Sequence, residues 1–183
     1  MRGFREAVNR EQFDLIVEDM IRAITLSDYE AVEVFWVALV KFSNLLPETS
    51  EHKRMLNLVK QLSTESLIYI ISDPAIDELL KLEPPLETIL ANPHERLSTE
   101  KTKQAISNFY AYRENNPVES VLSLGEILKR VRNKRAHGFK TRSGPRDKII
   151  LRTSKSILQR MCEAIAEELN CMLENNKNSS KLN

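Results

Sequence analysis

The residues best suited to chemistry are Arg132, Asn133 and His137, within the run Arg132-Asn133-Lys134-Arg135-Ala136-His137-Gly138. Cleaving RNA requires a 2′-hydroxyl to lose a proton as it attacks phosphorus, and a 5′-oxygen to gain one as it leaves. Histidine titrates near neutrality and can serve either step. The negative charge that develops around phosphorus is stabilised best by a planar, permanently charged donor, which is arginine. The Asn133 amide can orient either the phosphate or the imidazole. This chemistry needs no metal, and the run lacks the carboxylate cluster of a two-metal nuclease. The expectation is therefore a site without metal or cofactor.

The surrounding charge points the same way. From Lys129 to Arg152 there are ten Lys or Arg against one acid, Asp147, whereas Met1 to Glu33 holds eight acids and four Arg. With a net charge of only +1, such a patch suits a confined contact with a polyanion, not general coating of nucleic acid. Lys129, Lys134, Arg135, Lys140, Arg142 and Arg146 are the residues expected to track RNA phosphates. A solvated charged loop explains the same run without nucleic acid, as does a helix end whose basic residues complement its dipole.

The motif must be positioned by helices. Val121, Leu124, Leu128 and Val131 form one apolar stripe that leads straight into Arg132, and Gly138 is a natural helix stop. On a wheel of about 100° per residue with Arg132 at the origin, Leu128 falls at about −40°, Val131 at about −100° and His137 at about +140°. Arg132 thus borders the buried stripe, while His137 faces elsewhere. One intact helix cannot aim both at the same phosphate. Either the helix unwinds before His137, or the site combines residues of two chains across a symmetric dimer.

The other elements read as helices too. Phe13, Ile16, Val17, Met20, Ile21 and Ile24 form a first stripe. Ser27-Asp28 caps a second helix, about 29–46, that is apolar around most of its girth from Val34 to Val40, with Trp36 as a core anchor. Ser50 caps a third, expected to run to Ile71, with His52 in its polar first turn. Asp73-Pro74 opens a short piece (75–82), and a second short piece (86–91) is closed by Pro93, with His94 in a loop. A fourth long pattern covers 99–115, and Pro117 opens the motif helix. The last helix begins near Arg146-Asp147 and carries Ile150, Ile157, Leu158, Met161, Ile165, Leu169 and Met172. No useful run alternates with period two. The expected fold is an all-α bundle of about five long helices plus short ones, in one domain over 1–174 with a disordered tail over 175–183.

The motif and its setting resemble the HEPN family of small helical-bundle domains. The family hallmark is Arg, often followed by a polar residue, then His after roughly four to six positions, before the last helix. Arg132, Asn133 and His137 match it residue by residue. The continuation His137-Gly138, a basic linker, and Arg146-Asp147-Lys148-Ile149-Ile150-Leu151 opening the final helix is similar to the ApeA-like branch. The specific likeness covers about 30 residues. Lys134-Arg135-Ala136 is more cationic than the usual filler, which adds RNA affinity or marks a more exposed helix end. The resemblance implies a homodimer. It also implies either a metal-independent endoribonuclease of toxin–antitoxin, phage-defence or RNA-processing systems, or a non-catalytic module that binds RNA, a nucleotide or a partner protein. An antitoxin would be the partner in the first setting.

Composition is compatible with each of these. Only four glycines occur in 183 residues, while helix-forming Leu, Glu, Lys and Ala recur. Cys162 and Cys171 lie nine apart in one helical pattern and so point in opposite directions, which argues against a mutual disulfide. The N-terminus lacks an apolar signal core, and the longest uncharged apolar run, Val34 to Val40, is far short of a membrane span. The expected location is the cytoplasm, with no membrane partner.

Overall fold

A computed structural model describes residues 10–45, 50–82, 93–136 and 144–179, with side chains over 10–45, 50, 53–82, 99–133 and 144–174. These residues form eight helices: α1 (Arg10–Thr25), α2 (Asp28–Asn44), α3 (Glu51–Gln61), α4 (Thr64–Ile71), α5 (Pro74–Leu82), α6 (Pro93–Tyr112), α7 (Pro117–Ala136) and α8 (Pro145–Ser179). Five have 16 or more residues, and α3, α4 and α5 have 11, 8 and 9. No strand occurs among the described residues. The all-α bundle expected from the stripes is the fold of the chain.

The bundle is built around α2, which packs against α1, α3, α7 and α8. The Ser27 hydroxyl accepts from the Glu30 N–H and donates to the Glu30 carboxylate at 2.6 Å, which fixes the start of the helix. Ala31, Val32, Phe35, Ala38, Leu39 and Phe42 are wholly buried, and Trp36 is nearly so. A helix apolar on so many sides can only be stable with neighbours around most of its girth.

Prolines open four of the helices: Pro74, Pro93, Pro117 and Pro145 each stand at a first helical position. There the missing N–H has no partner to lose, and the ring presets the backbone angle. Pro93 therefore begins α6 and does not merely close a preceding piece, and the His94 backbone is helical, not looped. The short helix expected over 86–91 lies outside the described residues, as do the side chains of His52 and His94.

The helix expected from Ser50 to Ile71 is two helices. Leu62 and Ser63 turn extended, with ψ of 144° and 158°, and the Ser63 hydroxyl then accepts from the Ser66 N–H at 3.1 Å to start α4. The corner is tied to α8 through Glu168, whose carboxylate accepts from the Ser63 N–H and the Ser66 hydroxyl, both at 2.9 Å. Burial raises the Glu168 carboxyl, but the hydrogen bonds from Ser63 and Ser66 outweigh it and hold the group below its ordinary value. A depressed carboxyl contributes stability above its unfolded pKa and loses it as pH falls through the folded one. Stability should therefore decline on acidification below about pH 4.5, and Glu168→Gln should flatten that decline. Ser63→Ala, which removes the cap, should cost about 1 kcal/mol in urea denaturation.

The spine of the second half is α8, 35 residues long and packed against α1, α2, α4, α5 and α7. Ile150, Ile157, Leu158, Met161, Ile165 and Leu169 are buried along it. It continues to Ser179, so 175–179 are helical where the sequence reading places a tail. Polar Asn and Lys tolerate helix once nucleated, and the Asn170 amide donates to Glu174 one turn on at 3.2 Å. Cys162 is buried and Cys171 exposed, both as free thiols. Burial pushes the Cys162 thiol far up, keeping it protonated so that it donates to the Phe35 carbonyl at 3.5 Å. Among the described residues, no helix is long and apolar enough to cross a membrane.

Candidate functional site

The motif helix α7 is anchored by Val121, Leu124, Ile127, Leu128 and Val131, all essentially buried. It remains helical through Ala136, so the backbone is unbroken from Arg132 to the residue before His137. Arg132 stands at the edge of the buried stripe with a third of its side chain exposed, as the wheel requires.

The guanidinium is held by Glu33 of α2. Nη2 donates to Oε1 at 2.7 Å and Nε to Oε2 at 3.1 Å, a forked pairing that fixes both position and plane. Nη1 donates to the Asn133 amide oxygen at 3.3 Å. Arg132 and Asn133 thus form one cluster, oriented from a helix 99 residues earlier in the chain. They line a cavity of about 390 Å³ together with Trp36, Val37, Lys41 and Lys129. Lys41 is itself paired with Asp19 of α1 at 2.6 Å.

No family model, curated protein or solved structure matches this chain. What can be said of the site rests on its own geometry.

That geometry brings Arg132, Asn133 and Lys129 together and adds Lys41 and Glu33, which the sequence reading did not single out. Only one local signal marked Glu33: a carboxylate standing immediately before the apolar run Val34 to Val40, on a helix otherwise committed to the core. Its pairing with Arg132 depends on tertiary packing. Arg146 sits elsewhere in its contacts: in the first turn of α8, its guanidinium donates to the Leu82 carbonyl at the end of α5, and it does not line this cavity. Lys134 and Arg135 lie in the last turn of α7, their side chains outside the described residues, and His137, Lys140 and Arg142 lie outside them altogether.

Chemically, the cluster offers a fixed cation, a neighbouring amide and two lysines around a concave surface. A forked carboxylate partner has two effects on such an arginine. It removes the rotational freedom that a flexible side chain would lose on binding phosphate, and it offsets part of the positive charge.

Proposed function

We propose that the chain is a metal-independent endoribonuclease of HEPN type, with His137 as acid/base and Arg132 stabilising charge on the phosphate. Asn133 orients the phosphate, and Lys129, Lys134, Arg135, Lys140, Arg142 and Arg146 serve RNA binding. The observation that carries this reading is the Arg132 guanidinium, fixed by Glu33 beside Asn133 in a cavity also lined by Lys41 and Lys129. On a helical wheel Arg132 and His137 fall on different faces, and backbone that stays helical through Ala136 is compatible with a cleft completed by a second copy of the chain. The family resemblance adds a toxin–antitoxin or phage-defence setting in the cytoplasm, with a protein antitoxin as regulator.

The test is incubation of the full chain with single-stranded RNA in EDTA. Cleavage leaving 2′,3′-cyclic phosphate ends, by a species that light scattering shows to be a dimer, is the expected result. Intact RNA at high enzyme concentration would overturn it.

The same Glu33 contact favours a second reading, a non-catalytic module that binds RNA, a nucleotide or a partner protein, because it neutralises part of the Arg132 charge. Glu33→Gln separates the two. In a nuclease, a loosened Arg132 should lower cleavage by about tenfold or more. In a binding module, loss of the adjacent negative charge should instead tighten RNA binding and steepen its salt dependence. Lys134→Ala and Arg135→Ala should weaken RNA binding under either reading.

A further inference from the structure

A second cavity opens on the same helix, one turn before the motif. It has a volume of about 480 Å³ and lies where α2, α3, α6, α7 and α8 converge. That is within the range of about 300–1,000 Å³ usual for small-molecule sites. Its apolar wall includes Trp36, Leu39, Met55, Val59 and Met161. Its polar rim includes Lys101, Lys129 and Arg130, against the carboxylates Glu119 and Glu126.

Two details show that this space is more than loose packing. Gly125, in the interior of α7, lines it, and a Cβ built on Gly125 would meet no atom within 4 Å. Glycine weakens a helix interior relative to alanine, and here no close neighbour requires it. Its one structural consequence is open volume in the cavity. The second detail is Arg130, which also lines the space with most of its side chain buried. Its Nε is buried with no hydrogen-bond partner, and its pairing with Glu126 is long, at 3.7 Å. A buried cationic donor without an acceptor is costly, and an anionic oxygen in the cavity would supply one.

We infer that this cavity is a binding site for a small amphipathic anion. The apolar body of the ligand lies against Trp36, Leu39 and Met161, and its carboxylate or phosphate is met by Arg130 with Lys101 and Lys129. The inference does not depend on RNA cleavage. It rests on a different cavity, of which only Trp36 and Lys129 are shared with the motif site.

The sole tryptophan of the chain, Trp36, lines both cavities and reports a ligand in either, so the Gly125 and Arg130 variants assign the signal to this one. Dansylglycine combines an aromatic body with one carboxylate and accepts energy from tryptophan, and its neutral amide is the matched control. With the full chain, dansylglycine should quench Trp36 saturably and bind at least tenfold more tightly than the amide. Gly125→Leu, which fills the space, and Arg130→Met, which removes the charge, should each weaken binding at least tenfold. Gly125→Ala should raise the melting temperature while weakening binding less than Gly125→Leu, which keeps the test valid if the larger side chain impairs folding. No saturable quenching, equal affinity for acid and amide, or unchanged binding in folded Gly125→Leu or Arg130→Met would each overturn the inference.

Discussion

His137→Ala is expected to lower RNA cleavage by about 10²–10⁴-fold while leaving the fold intact, the usual weight of a positioned acid/base. Arg132, Asn133, Lys41 and Lys129 can hold and polarise a phosphate, and an imidazole is the side chain suited to move the protons of the reaction. The chain has three histidines, and His137 alone stands within five residues of Arg132 in the sequence. Arg132→Ala should cost about 10²–10³-fold through loss of charge stabilisation. If two chains share the site, mixing inactive His137→Ala with inactive Arg132→Ala should restore part of the activity, since one of the two composite sites in each heterodimer is then complete. Circular dichroism checks the fold of each variant. Undiminished cleavage by folded His137→Ala would remove the ribonuclease assignment outright.

The largest expected loss of stability is at Phe42, where truncation to alanine should cost about 3–5 kcal/mol. Phe42 is wholly buried near the end of α2, with its ring 6.3 Å from that of Phe13 on α1 and tilted by 45°. Removing it leaves a void between two helices and breaks an aromatic contact that helps seat α1. Against a typical domain stability of about 5–15 kcal/mol, such a loss consumes much of the margin. Ile21→Ala on the neighbouring face is the internal control. Ile21 is 61% exposed, so its truncation should change stability by less than about 0.5 kcal/mol. Equilibrium denaturation of both variants decides the matter, and equal effects would contradict the burial pattern.

Ile21 also shows how far a helical stripe can be read. Phe13, Ile16 and Met20 are buried as expected, yet Ile21 and Ile24 face outward. Among the described residues helix α1 packs mainly against α2 and α8, so its buried face is narrower than the arc its apolar residues span. Periodicity marks where helices are, but the width of a buried face is set by the number of neighbours. The break at Leu62-Ser63 is hidden in the sequence for a related reason: apolar spacing continues across it, and only the capping geometry of Ser63 reveals two helices. Pro93 carried an ambiguous signal, since proline both ends helices and begins them. In the site, the placement of Arg132 at the stripe edge was legible, because a wheel needs only local geometry. Its Glu33 partner was not, because a carboxylate beside an apolar run does not say which residue 99 positions away it will meet.

The placement of α2 has one more consequence. The helix that supplies Phe35, Leu39 and Phe42 to the core also supplies Glu33 to Arg132 and Trp36 to both cavities. Whatever ligand or reaction these surfaces serve, their geometry is inherited from the part of the molecule hardest to deform. The site therefore has little freedom to drift separately from the fold. A core substitution on α2 should be felt at Arg132 before the chain unfolds, and a ligand that engages Arg132 should be felt as a higher melting temperature of the whole bundle.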